Sequence, residues 1–165
     1  MALAVGDLAP DFSLEGVDGS TGERGRWSRS DFLGAPLVVV FYPGDNTPVC
    51  TAQLLDYTQG IGRLDDVGAN VVAISPQSVD SHAAFAAAQD GFAFPLLADP
   101  GKTVGREWGI LGLLDLYRRS TFILDAEGRV TWAHRYFGLG LAFKPLETLV
   151  AAVVDPTADP DAVTD

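Results

Sequence analysis

One cysteine, Cys50, is present in the 165 residues, within Phe41-Tyr42-Pro43-Gly44-Asp45-Asn46-Thr47-Pro48-Val49-Cys50-Thr51. A single cysteine excludes an intrachain disulfide, a Cys-x-x-Cys redox pair and a cysteine-rich zinc site. It leaves a buried small hydrophobe or a reactive thiol. The surrounding residues bear on that choice. An apolar run ends at Tyr42, and Thr47-Pro48 is a helix-start signal, threonine as N-cap and proline at the first helical position. Cys50 then falls at the third helical position. The unpaired N–H groups and positive dipole end of a helix favour an anion there. Thiols so placed titrate below their ordinary ~8.5, and the thiolate is the nucleophile. Thr47 lies one turn before Cys50, so its hydroxyl is expected to face the sulfur. Pro43 is expected to shield the sulfur from water. The competing reading is a core cysteine, since Cys50 begins an apolar stripe with Leu54, Tyr57, Ile61 and Leu64.

Other chemistry-bearing residues give weaker signals. His82 lies beside Val79 and Phe85 on a helical stretch and reads as a packed or capping histidine. His134 falls in a strand, remote from any partner the sequence identifies. Two histidines and no second cysteine argue against a metal site. Gly101-Lys102-Thr103 ends like a phosphate loop, but the pattern needs glycine where Leu96 stands. Gly138-Leu139-Gly140 is too short for a dinucleotide loop. Trp27, Trp108 and Trp132 read as core or edge packing.

The elements that must position Cys50 follow from periodicity. Residues 37–42 and 71–75 are continuous apolar runs, as in strands buried on both faces. Residues 121–125 and 130–136 read as a hairpin across Ala126-Glu127-Gly128. Between the first two strands runs the helix of Cys50, with a kink or early end expected at Gly60 and Gly62. Further helices are expected over 79–89, 103–108 and 145–154. Phe12-Ser13-Leu14 and Arg26-Trp27-Ser28 flank an Asp18-Gly19 turn signal, an N-terminal β-hairpin. This order implies an α/β fold, a mixed central sheet with helices on both faces. One domain is expected over 1–154, with 155–165 an acidic, flexible tail.

Composition narrows the function classes. The chain is 47% hydrophobic, enough for a sizeable core. With 11 basic against 22 acidic residues its formal charge is −11, which argues against nucleic acid or an anionic membrane surface as partner. No basic, apolar leader and no apolar run long enough to span a membrane is evident, so a cytoplasmic location is expected.

Pro43-x-x-x-Thr47-x-x-Cys50 resembles the active-site motif of the peroxiredoxins, thiol peroxidases of thioredoxin-like fold. The resemblance covers most of the chain. Residues 6–14 look like the family's opening, and Asp45-Asn46-Thr47-Pro48-Val49-Cys50-Thr51 is closest to the Q-type branch, the bacterioferritin comigratory proteins. Ile74-Ser75-Pro76, Ser78-Val79-Asp80-Ser81-His82 and Phe94-Pro95-Leu96-Leu97-Ala98-Asp99 follow that branch in order. Arg119-Ser120-Thr121-Phe122-Ile123-Leu124-Asp125 matches the strand that carries the family's catalytic arginine. Neighbours on a strand face opposite ways, and this register chooses Arg119 over Arg118, which is expected in solvent.

The resemblance implies that Cys50 attacks the peroxide and becomes a sulfenic acid. Thr47 then hydrogen-bonds sulfur and peroxide, Pro43 closes the pocket, and Arg119 stabilises the thiolate and the polarised O–O bond. No cofactor and no metal is implied. Two residues depart from the branch. Leu55 stands where a resolving cysteine often occurs, so the chain resembles a one-cysteine peroxiredoxin, recycled by an external thiol reductant: a low-molecular-weight thiol, thioredoxin or a glutaredoxin-like protein. Gln53 stands where glutamate is usual, removing a negative charge one turn from the thiolate. A monomer or homodimer is expected. The alternative function is a redox-inactive binding or holdase protein of thioredoxin fold. The complete Pro43, Thr47, Cys50 and Arg119 set argues against it, as the missing Cys-x-x-Cys argues against disulfide exchange.

Overall fold

The strongest apolar runs of the sequence form the centre of one sheet. In the computed structural model, which describes residues 3–136, 142–157 and 163–164, Leu37–Phe41 (β3) pairs in parallel with Asn70–Ser75 (β4). Every residue of β3 is buried, because both faces of the strand are covered. Val38 and Val40 join one apolar cluster, while Leu37, Val39 and Phe41 join the other. The first cluster is completed by residues of the helices Pro48–Gln59 (α1), Ile61–Asp66 (α2), Val79–Ala88 (α3) and Leu146–Val154 (α5). The second is completed by Thr103–Glu107 (α4) and its flanks, with Trp108, Ile110 and Tyr117. This is the expected mixed sheet with helices on both faces.

Among the described residues eight strands lie in the order β2-β1-β5-β4-β3-β6-β7-β8, where β1 is Ser13–Asp18, β2 Arg24–Ser28, β5 Pro95–Ala98, β6 Ser120–Leu124, β7 Val130–Arg135 and β8 Val163–Thr164. The N-terminal hairpin is present, β1 against β2 from Ser13–Ser28 to Val17–Arg24. It is joined to the sheet through β5, a four-residue strand absent from the expected element order. Pro95 opens that strand, a position where the missing N–H costs little. The expected break after Cys50's helix occurs at Gly60, which ends α1 and begins α2.

Two expectations need correction or limits. Within the stretch expected as a flexible tail, Val163–Thr164 forms a short strand parallel to β7, pairing with Ala133 and His134. The rest of it beyond residue 157, and Gly138 and Gly140, lie outside the described residues. Among the described residues no helix is long and apolar enough to cross a membrane.

Candidate active site

The site begins where β3 ends. Residues 43–47 leave the sheet, turn through Asn46 at φ +61°, and enter α1 with Thr47 extended (φ −90°, ψ 148°) and Pro48 in the first turn. Asparagine is among the residues that tolerate that left-handed conformation. Cys50 is the third residue of α1, as expected, and is fully buried. Thr47 occupies the N-cap position without capping: its hydroxyl donates to Gly44 O at 3.2 Å, and α1 has no side-chain cap. The positive end of α1 is therefore not quenched by a side-chain acceptor.

Strand pairing supplies the cation. Phe41 of β3 opposes Ser120 of β6, which puts Arg119 at the end of β3 where the loop departs. The guanidinium forks. Nη2 donates to Cys50 Sγ at 3.1 Å, and Nη1 donates to Gln53 Oε1. Arg119 and Gln53 are both buried. Gln53 is oriented in turn by its other end: Nε2 donates to Tyr57 Oη at 3.3 Å, and Tyr57 gives its proton to Lys144 O at 2.6 Å. Burial pushes the Tyr57 hydroxyl well above its ordinary value, so it stays a donor. That polarity fixes Gln53 with its carbonyl, not its NH₂, toward Arg119. Glutamine thus fills the hydrogen-bonding role of a carboxylate without neutralising the arginine.

The structure brings Cys50, Arg119 and Gln53 into one hydrogen-bonded group. Thr47 is one turn away, but the sulfur's hydrogen-bond partner is Arg119, and the expected Thr47–sulfur bond is replaced by the bond to Gly44. Pro43 is exposed at the entry to the loop. Arg118, expected in solvent, is half-buried and donates through Nε to Tyr136 O at 3.0 Å. His82 is packed as expected, yet it is paired with the Asp45 carboxylate at 2.8 Å. The contribution of Tyr57 was hidden in the sequence, where it reads only as a member of the apolar stripe. Its helical spacing of four from Gln53 is the one signal that could have exposed it. Among the described residues no group of three or more His, Cys, Asp or Glu is arranged to hold a metal ion.

Comparison with known proteins places the chain in a family. The family model described as AhpC/TSA matches residues 5–133. A peroxiredoxin of Mycobacterium tuberculosis is 38% identical over 138 residues, covering 79% of this chain and 84% of its own. The chloroplastic peroxiredoxin Q of Triticum aestivum is 37% identical over 134 residues, 80% of this chain and 59% of its own. Among solved structures, the bacterioferritin comigratory protein of Xanthomonas campestris aligns at TM-score 0.75 and 28% identity, covering 92% of this chain and 96% of its own. Mycobacterium tuberculosis AhpC aligns at TM-score 0.83 and 21% identity over 96% of this chain and 100% of its own, a likeness of fold. A thioredoxin-like sheet that delivers an arginine to a helix-start thiol, matched across most of its length by sequence and by structure, makes this chain a member of the peroxiredoxins, the thiol peroxidases of the AhpC/TSA family.

Proposed function

We propose that the protein reduces hydrogen peroxide or organic hydroperoxides by a one-cysteine cycle. The observation that carries this reading is the Arg119 Nη2–Cys50 Sγ hydrogen bond of 3.1 Å in a chain with no second cysteine. The Cys50 thiolate attacks one peroxide oxygen. An S–O bond forms and the O–O bond breaks, leaving a sulfenic acid and a hydroxide or alkoxide that takes up a proton. Negative charge grows on the departing oxygen, so fixed donors aimed at it lower the barrier. Arg119 supplies such donors and stays charged. Thr47 spends its proton on Gly44 O, which leaves its oxygen lone pairs to accept the O–H of an incoming peroxide. Pro43 narrows the mouth of the pocket, and Gln53 aims the guanidinium.

The second half of the cycle uses an external thiol. Its thiolate attacks the sulfenic sulfur, water leaves, and a mixed disulfide forms; a second thiol then releases Cys50 and carries away the new disulfide. The test mixes reduced protein with stoichiometric peroxide, traps the product with a sulfenic-acid reagent and follows intact mass and peroxide loss. Wild-type protein gains the trapped adduct and consumes peroxide. Cys50→Ser falls to the uncatalysed rate. Consumption no faster than that control would sink the reading. Supplying monothiols, thioredoxin or a glutaredoxin in turn identifies the reductant.

A further inference from the structure

Behind the Cys50 loop lies a buried polar cluster that the peroxide chemistry does not use. Asp45 sits in the middle of the loop and is held from both ends. Its Oδ1 accepts from Tyr42 Oη at 2.7 Å, and its Oδ2 accepts from Ser81 Oγ at 2.7 Å. The same Oδ2 lies 2.8 Å from His82 Nδ1. Its backbone N–H donates to Gln77 Oε1 at 3.2 Å. His82 spans the gap to the sheet: its Nε2 lies 2.9 Å from Leu97 O, while Nδ1 also lies 3.3 Å from Tyr42 Oη. Both ring nitrogens thus face acceptors, a carboxylate on one side and a carbonyl on the other. The side chains of His82 and Asp45 are 0% and 1% exposed.

A buried carboxylate–histidine pair is a poor way to gain stability, since desolvation offsets most of the attraction. Its value lies in geometry. The pair ties α3 and β5, neither of which carries a reacting group, to the loop that sets the entry of α1. Asn46 at φ +61° and the Thr47–Gly44 bond then carry that fixed point two residues further, to the N-cap. We infer that His82 is a positioning residue for the peroxidatic thiol, acting through its Nδ1 bond to Asp45 to hold the loop that aligns Thr47 and Cys50 with Arg119. The inference rests on the peroxidase reading of Cys50. The Nε2 bond to Leu97 O anchors the ring but does not touch the loop.

The two halves of the ring can be replaced separately. In His82→Asn the side-chain amide takes the place of Nδ1 and keeps the bond to Asp45. In His82→Gln it takes the place of Nε2 and loses Asp45. The readout is the rate constant for peroxide divided by that for iodoacetamide, both measured on the same reduced protein. Peroxide needs the alignment of Thr47 and Arg119; the alkylating agent needs only the thiolate. Misplacement by an ångström costs up to about a hundred-fold in rate, so His82→Gln lowers this ratio by roughly ten-fold or more. His82→Asn holds it within about three-fold of wild type on the same scale. Melting curves run beside the kinetics. Equal ratios in both variants overturn the inference, whether or not their melting temperatures fall, because a merely structural histidine loses stability without changing the ratio. If His82→Gln fails to fold, Asp45→Asn takes its place: a ten-fold fall supports the inference and a wild-type ratio overturns it. Failure of the peroxidase reading looks different, since wild-type protein itself would then react no faster than Cys50→Ser.

Discussion

Arg119 divides its donors between a sulfur and a neutral amide, and that division sets the charge of the site. Gln53 is a neutral partner, so its bond adds no negative charge beside the guanidinium that holds the sulfur. Gln53→Glu would put a carboxylate on the same fork, fully buried and one turn from the sulfur. A like charge so close disfavours the thiolate. The expected outcome is a slower peroxide reaction at neutral pH, because the added carboxylate competes for the guanidinium and repels the attacking thiolate. Stopped-flow peroxide consumption checks it; a wild-type rate in Gln53→Glu refutes the argument. At this scale the sequence was legible where motifs are short. Thr47, Pro48 and Cys50 are read from helix-start chemistry alone, and Arg119 from its strand motif. The Asp45–His82 pair could not be read, because 37 residues separate its members and no spacing rule joins them. Nor could the rotation of the Thr47 hydroxyl, which depends on the carbonyl that the loop happens to offer.

Elements were predictable to the extent that they carry their own signal. β3 and β4 announce themselves as apolar runs. β5 does not, since four residues opened by a proline read as a loop until β1 and β4 are seen on either side of it. The break between α1 and α2 was legible from Gly60, but its purpose was not. The space where a side chain would stand is filled by Leu146 of α5, and a Cβ on Gly60 would overlap it. Leu146 is itself buried, and its N–H donates to Asp56 Oδ2 at 3.0 Å, so α5 is seated against α1 at that point. Gly60→Ala gains helix propensity yet overpacks this junction. The net expectation is a loss of about 1–3 kcal/mol, read as a lower urea midpoint without a change in slope. Pairing it with Leu146→Ala, which vacates the space, should recover part of that loss relative to Leu146→Ala alone. An additive double mutant would show that the contact does not limit the junction.

Over the whole molecule, acidity governs both stability and access. The carboxyls of Asp18 and Asp45 lie below their ordinary 3.8. For Asp45, burial pulls upward, but the hydrogen bond and charge of His82, with Ser81 and Tyr42, outweigh it. A carboxyl lowered in the folded state contributes fully above its unfolded value and loses that contribution as pH falls through its folded value. These two groups therefore favour folding above about pH 4 and cease to do so in stronger acid. Urea midpoints against pH should be less acid-sensitive in Asp45→Asn over that lower window; identical profiles would deny Asp45 the role. Near neutral pH the dominant fact is the formal charge of −11. The cation that serves the reaction, Arg119, is 3% exposed, so an approaching reductant meets the acidic exterior before it meets the arginine. Exposed charges act over a Debye length of about 10 Å at 0.1 M salt and further in dilute buffer. Uncharged hydroperoxides are indifferent to that field, whereas the reductant of a sulfenic acid is not. Among small monothiols of matched thiol reactivity, a carboxylate-bearing one should reduce oxidised Cys50 faster as salt is added. A neutral one, which attacks as a monoanionic thiolate, should gain less, and an ammonium-bearing one, whose thiolate form has no net charge, should hardly change. Three equal slopes would mean that the local field of Arg119 and the start of α1 has overridden the surface.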